Sequence, residues 1–308
     1  MAEIRATLVK DLREKTGAGM MDCKKALVEN GGDIDRSIDW LRTQGLAAAA
    51  KRSSRVASEG LVGVSTLGRK GSLVEINTET DFVARNVKFQ EFVETVTNIS
   101  LKGNGSIEEL NSATYIGTDK TVSETLTNMV ATVGEHMDLR RTTVLEVDNG
   151  VVCSYMHNSL RAGLGKIGVL VGLESNGNRK QLESFGKKLA MHIAASNPQV
   201  LSQRDVDTVD LEREKSILTE QARESGKPEE IIKKMVDGRL HKYFEEVCLL
   251  EQTYVIDTDS KVSKAVEAAT KEIDAPIEIS GFARFALGDG VLKKEEDFAE
   301  EVAAVASS

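Results

Sequence analysis

The residues best suited by type to act on another molecule are Asp81 and Phe82, within the segment Thr-Asp-Phe-Val-Ala-Arg-Asn at 80–86. Alternating apolar and polar residues at 72–77 predict a half-buried strand before this segment. Apolar residues spaced by three and four within 89–96 predict an amphipathic helix after it. A carboxylate beside a large ring, held where a strand turns into a helix, could enter another molecule's pocket. The alternative is a core ring beside a helix-capping aspartate.

A literal GxGxxG pattern at 163–168 suggests a dinucleotide site, and Glu183 lies twenty residues past its first glycine. Such a site needs a strand before the glycines and a helix opening on them. Here the glycines run directly into the apolar residues 169–171, which predict a strand. We therefore interpret the pattern as a glycine-rich hairpin turn.

The four histidines, His136, His157, His192 and His241, lack the spacing of metal ligands. His192 lies in an apolar stretch and is expected in the core, whereas His157 is expected at an exposed strand end. The sequence contains no GxxxxGK[ST], HExxH or GxSxG motif. We therefore expect no catalytic residues, no metal, no cofactor and no enzyme activity.

Composition predicts a globular protein of two or three structural units, because 308 residues exceed one small core and 40% are apolar. The net charge of −9 argues against nucleic-acid binding by counterion release and favours a protein partner. Three distant cysteines, without a CxxC pair, support neither disulfides nor zinc. The first residues lack a signal-peptide pattern and no apolar run could span a bilayer, so we expect a cytoplasmic protein without membrane contact.

The N-terminal 45 residues predict a bundle of three short helices, which could dock on a partner or cap the rest of the chain. Gly17 to Gly19 and Asn30 to Gly32 separate the helices, Asp33 suits an N-cap, and Gly45 suits the position after the third helix. Residues 46–60, with four alanines followed by basic residues and serines, predict a linker.

The middle of the chain contains an imperfect repeat of two strands followed by a helix. This pattern predicts an α+β fold, with antiparallel sheets packed against helices. The predicted core halves span 61–147 and 148–288. The first copy has strands at 61–64 and 73–76 and a helix at 89–100, a further helix carries Leu126 to Val133, and the second copy has strands at 151–155 and 167–171 and a helix at 182–196.

An antiparallel helical hairpin is predicted within the second half, at 206–249, with a narrow coiled-coil-like apolar seam and two charged faces. Pro228 suits the first position of its second helix, and Gly226 the end of its first. After a strand at 281–287, residues 289–308 form a predicted C-terminal module with a helix at 296–306.

Several ordered motifs resemble the bacterial translation elongation factor Ts family, the guanine nucleotide exchange factors of elongation factor Tu. An organelle member of the same family is the alternative. The matching segments run nearly end to end and comprise 12–27, 80–86, 191–195, 226–228 and 281–285.

The resemblance implies a ubiquitin-associated-type N-terminal bundle, a two-part core, a protruding helical hairpin and a C-terminal module. It also implies partner contacts rather than catalytic residues. Thr80, Asp81, Phe82 and Val83 would enter the partner's G domain and help dislodge Mg²⁺ there. Further contacts would come from Met20, Lys24, Val133, Gly134, His157 and Val236. The stretch 158–166 is longer than the family's compact turn, which leaves the place of His157 open.

Two other functions compete with this expectation. One is a binding adaptor that acts through the N-terminal bundle, with the core only as scaffold. The other is a dehydrogenase-like enzyme, which the glycine pattern supports weakly. The expected partner is elongation factor Tu, first with GDP and then nucleotide-free. The sequence leaves open whether the helical hairpin mediates a dimer of such heterodimers.

Overall fold

The computed structural model of this chain describes residues 4–291, so the predicted helix at 296–306 lies outside the described residues. The described helices are α1 (Ala6–Thr16), α2 (Met20–Glu29), α3 (Ile34–Arg52), α4 (Asp81–Ala84), α5 (Val87–Ser100), α6 (Ile107–Ser112), α7 (Val122–Val133), α8 (Arg179–Ser196), α9 (Thr208–Arg223), α10 (Glu229–Val247) and α11 (Val262–Ile273). The described strands are β1 (Glu59–Leu67), β2 (Lys70–Thr78), β3 (Met137–Glu146), β4 (Gly150–His157), β5 (Leu164–Gly165), β6 (Ile167–Glu174) and β7 (Glu278–Ala286).

The strands form two sheets, with the orders β3-β2-β1-β5 and β4-β6-β7. Strands β4 and β6 are antiparallel, with Gly150 opposite Glu174 and His157 opposite Ile167. The predicted α+β class is confirmed, and both copies of the strand-strand-helix pattern are present as β1, β2, α5 and β4, β6, α8.

The chain divides into two compact units that interleave along the sequence. Among the described residues, unit 1 contains 4–62, 74–142 and 286–291, and unit 2 contains 63–73 and 143–285. The division therefore falls within β1, β2 and β3, and before the last residue of β7. The sequence limits proposed above for the individual domains stay predictions.

Helices α1 to α3 form a bundle in unit 1 around Leu12, Cys23, Ala26 and Leu27, all of them buried. Asp33 caps α3 as predicted, since its carboxylate accepts from the backbone N–H of Arg36 at 3.0 Å. Whether this bundle is of the ubiquitin-associated type stays a prediction.

The predicted end of the third helix at Gly45 is wrong, because α3 continues to Arg52. The alanines at 47–50 favour helix, and Gly45 is needed for packing rather than for a stop. A β-carbon at Gly45 would lie only 2.9 Å from Cβ of Ala131 in α7. The segment predicted as a linker therefore begins with seven residues of helix, 46–52.

The interior of unit 1 contains a charged group, the fully buried carboxylate of Glu75 on β2. It accepts from Arg140 at 2.9 Å and from Arg141 at 2.6 Å, both on β3. The N–H of Gly288 also donates to it, at 2.9 Å. A buried charge is tolerated where it is paired and fully hydrogen-bonded, and this one joins β2, β3 and the residues after β7.

In unit 2, helix α8 packs on β4 and β6 through Leu182, Leu189 and Ile193. The predicted core position of His192 is confirmed, since its Nε2 lies 2.9 Å from Oε1 of Gln252 and the side chain is buried. Burial lowers the pKa of His192 below its ordinary value. Helix α8 approaches β4 at Gly186, where an added β-carbon would lie 2.4 Å from Sγ of Cys153.

Helices α9 and α10 confirm the predicted hairpin, whose seam contains the buried residues Ala222, Ile232 and Val236. Pro228 precedes α10 as its N-cap instead of occupying its first position, and Gly226 has a φ of +64°. Within residues 4–291, no helix is long and apolar enough to cross a membrane.

Candidate functional site

The segment around Phe82 follows the predicted course from strand to helix. Strand β2 ends at Thr78, the single-turn helix α4 begins at Asp81, and α5 follows from Val87. Thr80 occupies the N-cap of α4 without a side-chain capping bond. The alternative in which Asp81 caps the helix is therefore wrong, because Asp81 is its first residue.

The ring of Phe82 is turned to solvent, with 78% of the residue exposed. Its neighbours hold the segment in place, since Val83 is 5% exposed and Ala84 is also buried. The buried side chains of Phe89 and Phe92 on α5 belong to the same unit. The alternative in which Phe82 belongs to the core is wrong, and the ring lies on a well-anchored turn.

The carboxylate of Asp81 is paired within its own helical turn. Nη2 of Arg85 donates to Oδ2 of Asp81 at 2.7 Å, and the two side chains are 70% and 44% exposed, respectively. Exposed pairs of this kind contribute about 1 kcal/mol or less, so the pair is easily broken. Asp81 is thus an accessible anion beside the exposed ring.

Two turns of unit 1 are joined next to Phe82. The N–H of Thr80 donates to Glu135 at 3.1 Å, and the Thr80 hydroxyl lies 2.9 and 3.0 Å from the two carboxylate oxygens of Glu135. In return, Oε1 of Glu79 accepts from the N–H of His136 at 2.5 Å. The predicted contact residues at 80–82 therefore lie beside Val133 and Gly134, which end α7.

The remaining predicted contact residues lie elsewhere. Met20, 57% exposed, and Lys24, also exposed, lie on α2 in unit 1. His157 lies exposed at the end of β4 in unit 2, where its Nδ1 is 3.3 Å from the hydroxyl of Tyr155. Val83 and Val236 are buried within the chain, and their contact with a partner stays a prediction.

The glycine-rich stretch forms a turn between β4 and β6, as predicted, and no helix opens on it. The longer stretch 158–166 contains β5, and the N–H of Val64 on β1 donates to the carbonyl of Gly163 at 2.8 Å. The extra length therefore supplies an additional strand to the sheet that contains β1. In the described part of the chain, no group of three or more His, Cys, Asp or Glu side chains could hold a metal ion.

Sequence reasoning missed the residues that hold the Phe82 turn. Arg85 could have been found, because a base four residues after Asp81 is the spacing of helical ion pairs. Glu79, Glu135 and His136 carried no such signal. Thr80 and Glu135 are 55 residues apart, and only the folded chain brings them together.

Comparison with known proteins gives one consistent result. The family model described as elongation factor TS matches residues 79–289. The elongation factor Ts of Paramagnetospirillum magneticum is 58% identical over 308 residues, covering 100% of this chain and 99% of the relative. That of Rhodospirillum centenum is 57% identical, covering 99% and 100%, and that of Rhodospirillum rubrum is 57% identical, covering 99% of each.

Proposed function

This chain belongs to the elongation factor Ts family, and on that basis we propose that it is the guanine nucleotide exchange factor of elongation factor Tu in translation elongation. It binds the partner in its GDP complex and promotes release of GDP, so that GTP can bind the nucleotide-free partner. Its action consists of protein–protein binding, and it needs no cofactor of its own.

The observation that carries this proposal is the exposed ring of Phe82 on an anchored turn, with buried residues directly after it. An aromatic side chain that enters a pocket of the partner supplies about 2–4 kcal/mol to an interface. Because the turn is held by its own core, the ring can act as a wedge between helices of the partner's G domain.

Asp81 has the second role, toward the partner's Mg²⁺. A protein-bound Mg²⁺ keeps several water ligands, and a carboxylate brought close to them disturbs their arrangement. Loss of the cation removes positive charge from beside the diphosphate, so the phosphate site relaxes. Exposure of Asp81 beside the ring supports this role.

Energetic linkage makes the weakening of the two binding partners reciprocal. A factor that weakens nucleotide binding is itself bound less tightly while nucleotide is present. Acceleration of GDP release by about a thousandfold requires the release barrier to fall by roughly 4 kcal/mol. We attribute this amount to the inserted ring together with the lost cation.

The test is the release of fluorescent GDP from elongation factor Tu, followed by stopped flow over a range of chain concentrations. We expect the wild-type chain to accelerate release. We expect Phe82→Ala to lower the maximal rate by about tenfold or more, with a much smaller change in the concentration at half-saturation.

Leu67→Ala is the matched control, because Leu67 on β1 is 77% exposed, close to the value for Phe82. It should leave the maximal rate unchanged. A wild-type chain that fails to accelerate GDP release would contradict the proposed function. Equal losses of rate and affinity in Phe82→Ala would make Phe82 an ordinary interface contact.

A second candidate function is the adaptor that acts through the N-terminal bundle. The observation in its favour is the exposure of two neighbouring methionines, Met20 and Met21, on α2. Flexible, polarizable methionines are common on binding surfaces.

A further inference from the structure

We propose that Glu135 is a positioning residue for exchange, acting by fixing the backbone that carries Phe82. This inference rests on the proposed function and deepens it. Glu135 touches neither nucleotide nor Mg²⁺ in this proposal. Its role is to hold the turn from β2 to α4 in the orientation that the ring requires.

Each polar group of Thr80 is hydrogen-bonded. Its N–H and its hydroxyl both meet the carboxylate of Glu135, at 3.1 Å and at 2.9 and 3.0 Å. Its carbonyl accepts from the hydroxyl of Thr78 at 2.8 Å. Hydrogen bonds to a charged acceptor are stronger than neutral ones, so the peptide planes around residue 80 have little freedom.

The turn at 79–80 and the turn at 135–136 are bonded to each other in both directions. Glu79, the preceding residue, accepts from the N–H of His136, the residue after Glu135, at 2.5 Å. Nη1 of Arg55 approaches the same Glu79 carboxylate at 3.2 Å. Two adjacent points on one turn are thus tied to two adjacent points on the other. A pivot about either single bond is prevented.

The bonds between Thr80 and Glu135 orient helix α4. Thr80 is the N-cap of α4, so its conformation sets the direction of the single helical turn that contains Phe82. Gly134 closes α7 in the left-handed region, with a φ of +86°, and directs the chain toward Glu135. The ring and the end of α7 at Val133 therefore form one rigid contact surface.

Rigidity matters because a group that acts only at the point of release must already be in place. A displacement of about 1 Å in a positioned group can lower a rate by about a hundredfold. Docking, in contrast, depends on many contacts spread over the interface. Loss of Glu135 should therefore lower the maximal rate more than it weakens binding.

The test compares Glu135→Gln with wild type in the full chain, again by stopped-flow release of fluorescent GDP. Glutamine keeps the size of the side chain but places an amide donor against the donors of Thr80. We expect the maximal rate to fall by about tenfold and the half-saturating concentration to change by less than about threefold. Glu109→Gln is the matched control and should behave as wild type, since Glu109 lies on α6 and its carboxylate accepts from Asn104 at 2.8 Å.

Three further measurements exclude a general structural effect. In the Phe82→Ala background, Glu135→Gln should cause no additional loss of maximal rate, because it acts through the ring. In the free chain, Glu135→Gln should accelerate hydrogen exchange of the Thr80 amide, measured by NMR. Thr80→Val, which removes only the hydroxyl donor, should also slow release, and Thr80→Ser should restore it.

The outcomes are distinguishable. If Phe82→Ala slows release while Glu135→Gln and Thr80→Val both keep the wild-type rate, this inference is overturned and the proposed function stands. An equal loss with and without the Phe82 ring overturns it as well. If the wild-type chain itself does not accelerate release, the proposed function fails. Should Glu135→Gln not fold, the Thr80→Val and Thr80→Ser pair decides the matter in the same way.

Discussion

At the scale of single residues, Asp81 and Phe82 divide two tasks between neighbouring positions. The ring is exposed and has no polar partner to lose, so it gains free energy when an apolar pocket covers it. The carboxylate already has a partner in Arg85 at 2.7 Å and must give up part of that bond to act elsewhere. Breaking this exposed ion pair costs about 1 kcal/mol or less, so Asp81 can leave Arg85 for a new contact on docking.

A prediction at this scale concerns the dependence of Asp81 on Mg²⁺. Asp81→Ala should slow stimulated GDP release by several-fold when Mg²⁺ is abundant, because the carboxylate no longer disturbs the cation. With Mg²⁺ chelated by EDTA, the variant should release GDP at the wild-type rate. The measurement is stimulated release with and without chelator, and Phe82→Ala is the control whose defect should persist. A defect of Asp81→Ala that survives chelation would remove Mg²⁺ from the mechanism.

At the scale of elements, the packing of α3 against α7 depends on the absence of a side chain at Gly45. Glycine in a helix interior normally costs about 1 kcal/mol relative to alanine. At Gly45 that preference reverses, because an added β-carbon would lie 2.9 Å from Cβ of Ala131. Glycine at position 45 therefore weakens the intrinsic stability of α3 but lets α3 approach α7 closely.

We accordingly predict that Gly45→Ala destabilises the chain by about 1–3 kcal/mol through overpacking. Gly238→Ala is the matched control, since Gly238 lies inside α10 with no atom within 4 Å of an added β-carbon. That change should stabilise α10 by about 0.5–1 kcal/mol. Urea unfolding followed by circular dichroism compares the two variants, and a stabilised Gly45→Ala would show that α3 and α7 can separate at little cost.

Much of the fold could be predicted from local patterns, and two of the exceptions, β3 and Gly45, share a physical cause. Strand β2 and helices α5 and α8 follow apolar periods that depend only on which face is buried. Strand β3 escaped prediction because Arg140 and Arg141 interrupt its apolar pattern, and their partner Glu75 lies on another strand. The sequence predicts that the third helix ends at Gly45, because the packing partner of Gly45, Ala131, is remote in sequence. Helix α11 has an apolar face at Val262, Ala265 and Ala269 that the sequence analysis overlooked.

The candidate site shows the same limit. The motif at 80–86 could be found in the sequence, but its pattern did not decide whether Phe82 was core or surface. The folded chain buries the next two residues, Val83 and Ala84, and leaves the ring exposed. The role inferred for Glu135 depends on a contact made across 55 residues, which no local rule describes.

At the scale of the whole molecule, the N-terminal bundle has one of two roles. It either adds affinity for the partner, while the Phe82 turn releases GDP, or it accounts for the whole function as an adaptor. The exposed residues Met20 and Lys24 lie on α2, whereas Phe82 follows β2. An exchange factor uses the first surface for affinity and the second for rate. An adaptor has only the first.

We predict that Met20→Ser combined with Lys24→Ala raises the half-saturating concentration by about tenfold while the maximal rate of GDP release stays unchanged. Full-length chain is used, because truncation at Gly45 would cut α3 and uncover α7. Titration of the release rate against chain concentration gives both quantities, with Phe82→Ala as the converse variant. Complete loss of stimulated release at saturating concentration would favour the adaptor.

The three cysteines bear on how such binding can be watched. Cys23, Cys153 and Cys248 are all buried, and burial raises the pKa of Cys153 to about 11 and that of Cys248 to about 11. At neutral pH only about one in ten thousand of these two thiols is ionised. Because the thiolate is the reactive form, both thiols should react slowly with maleimide reagents. A single cysteine introduced on the surface can then carry a fluorescent dye without prior removal of the native ones. A chain labelled in this way would allow its association with a partner and its dissociation to be followed on single molecules.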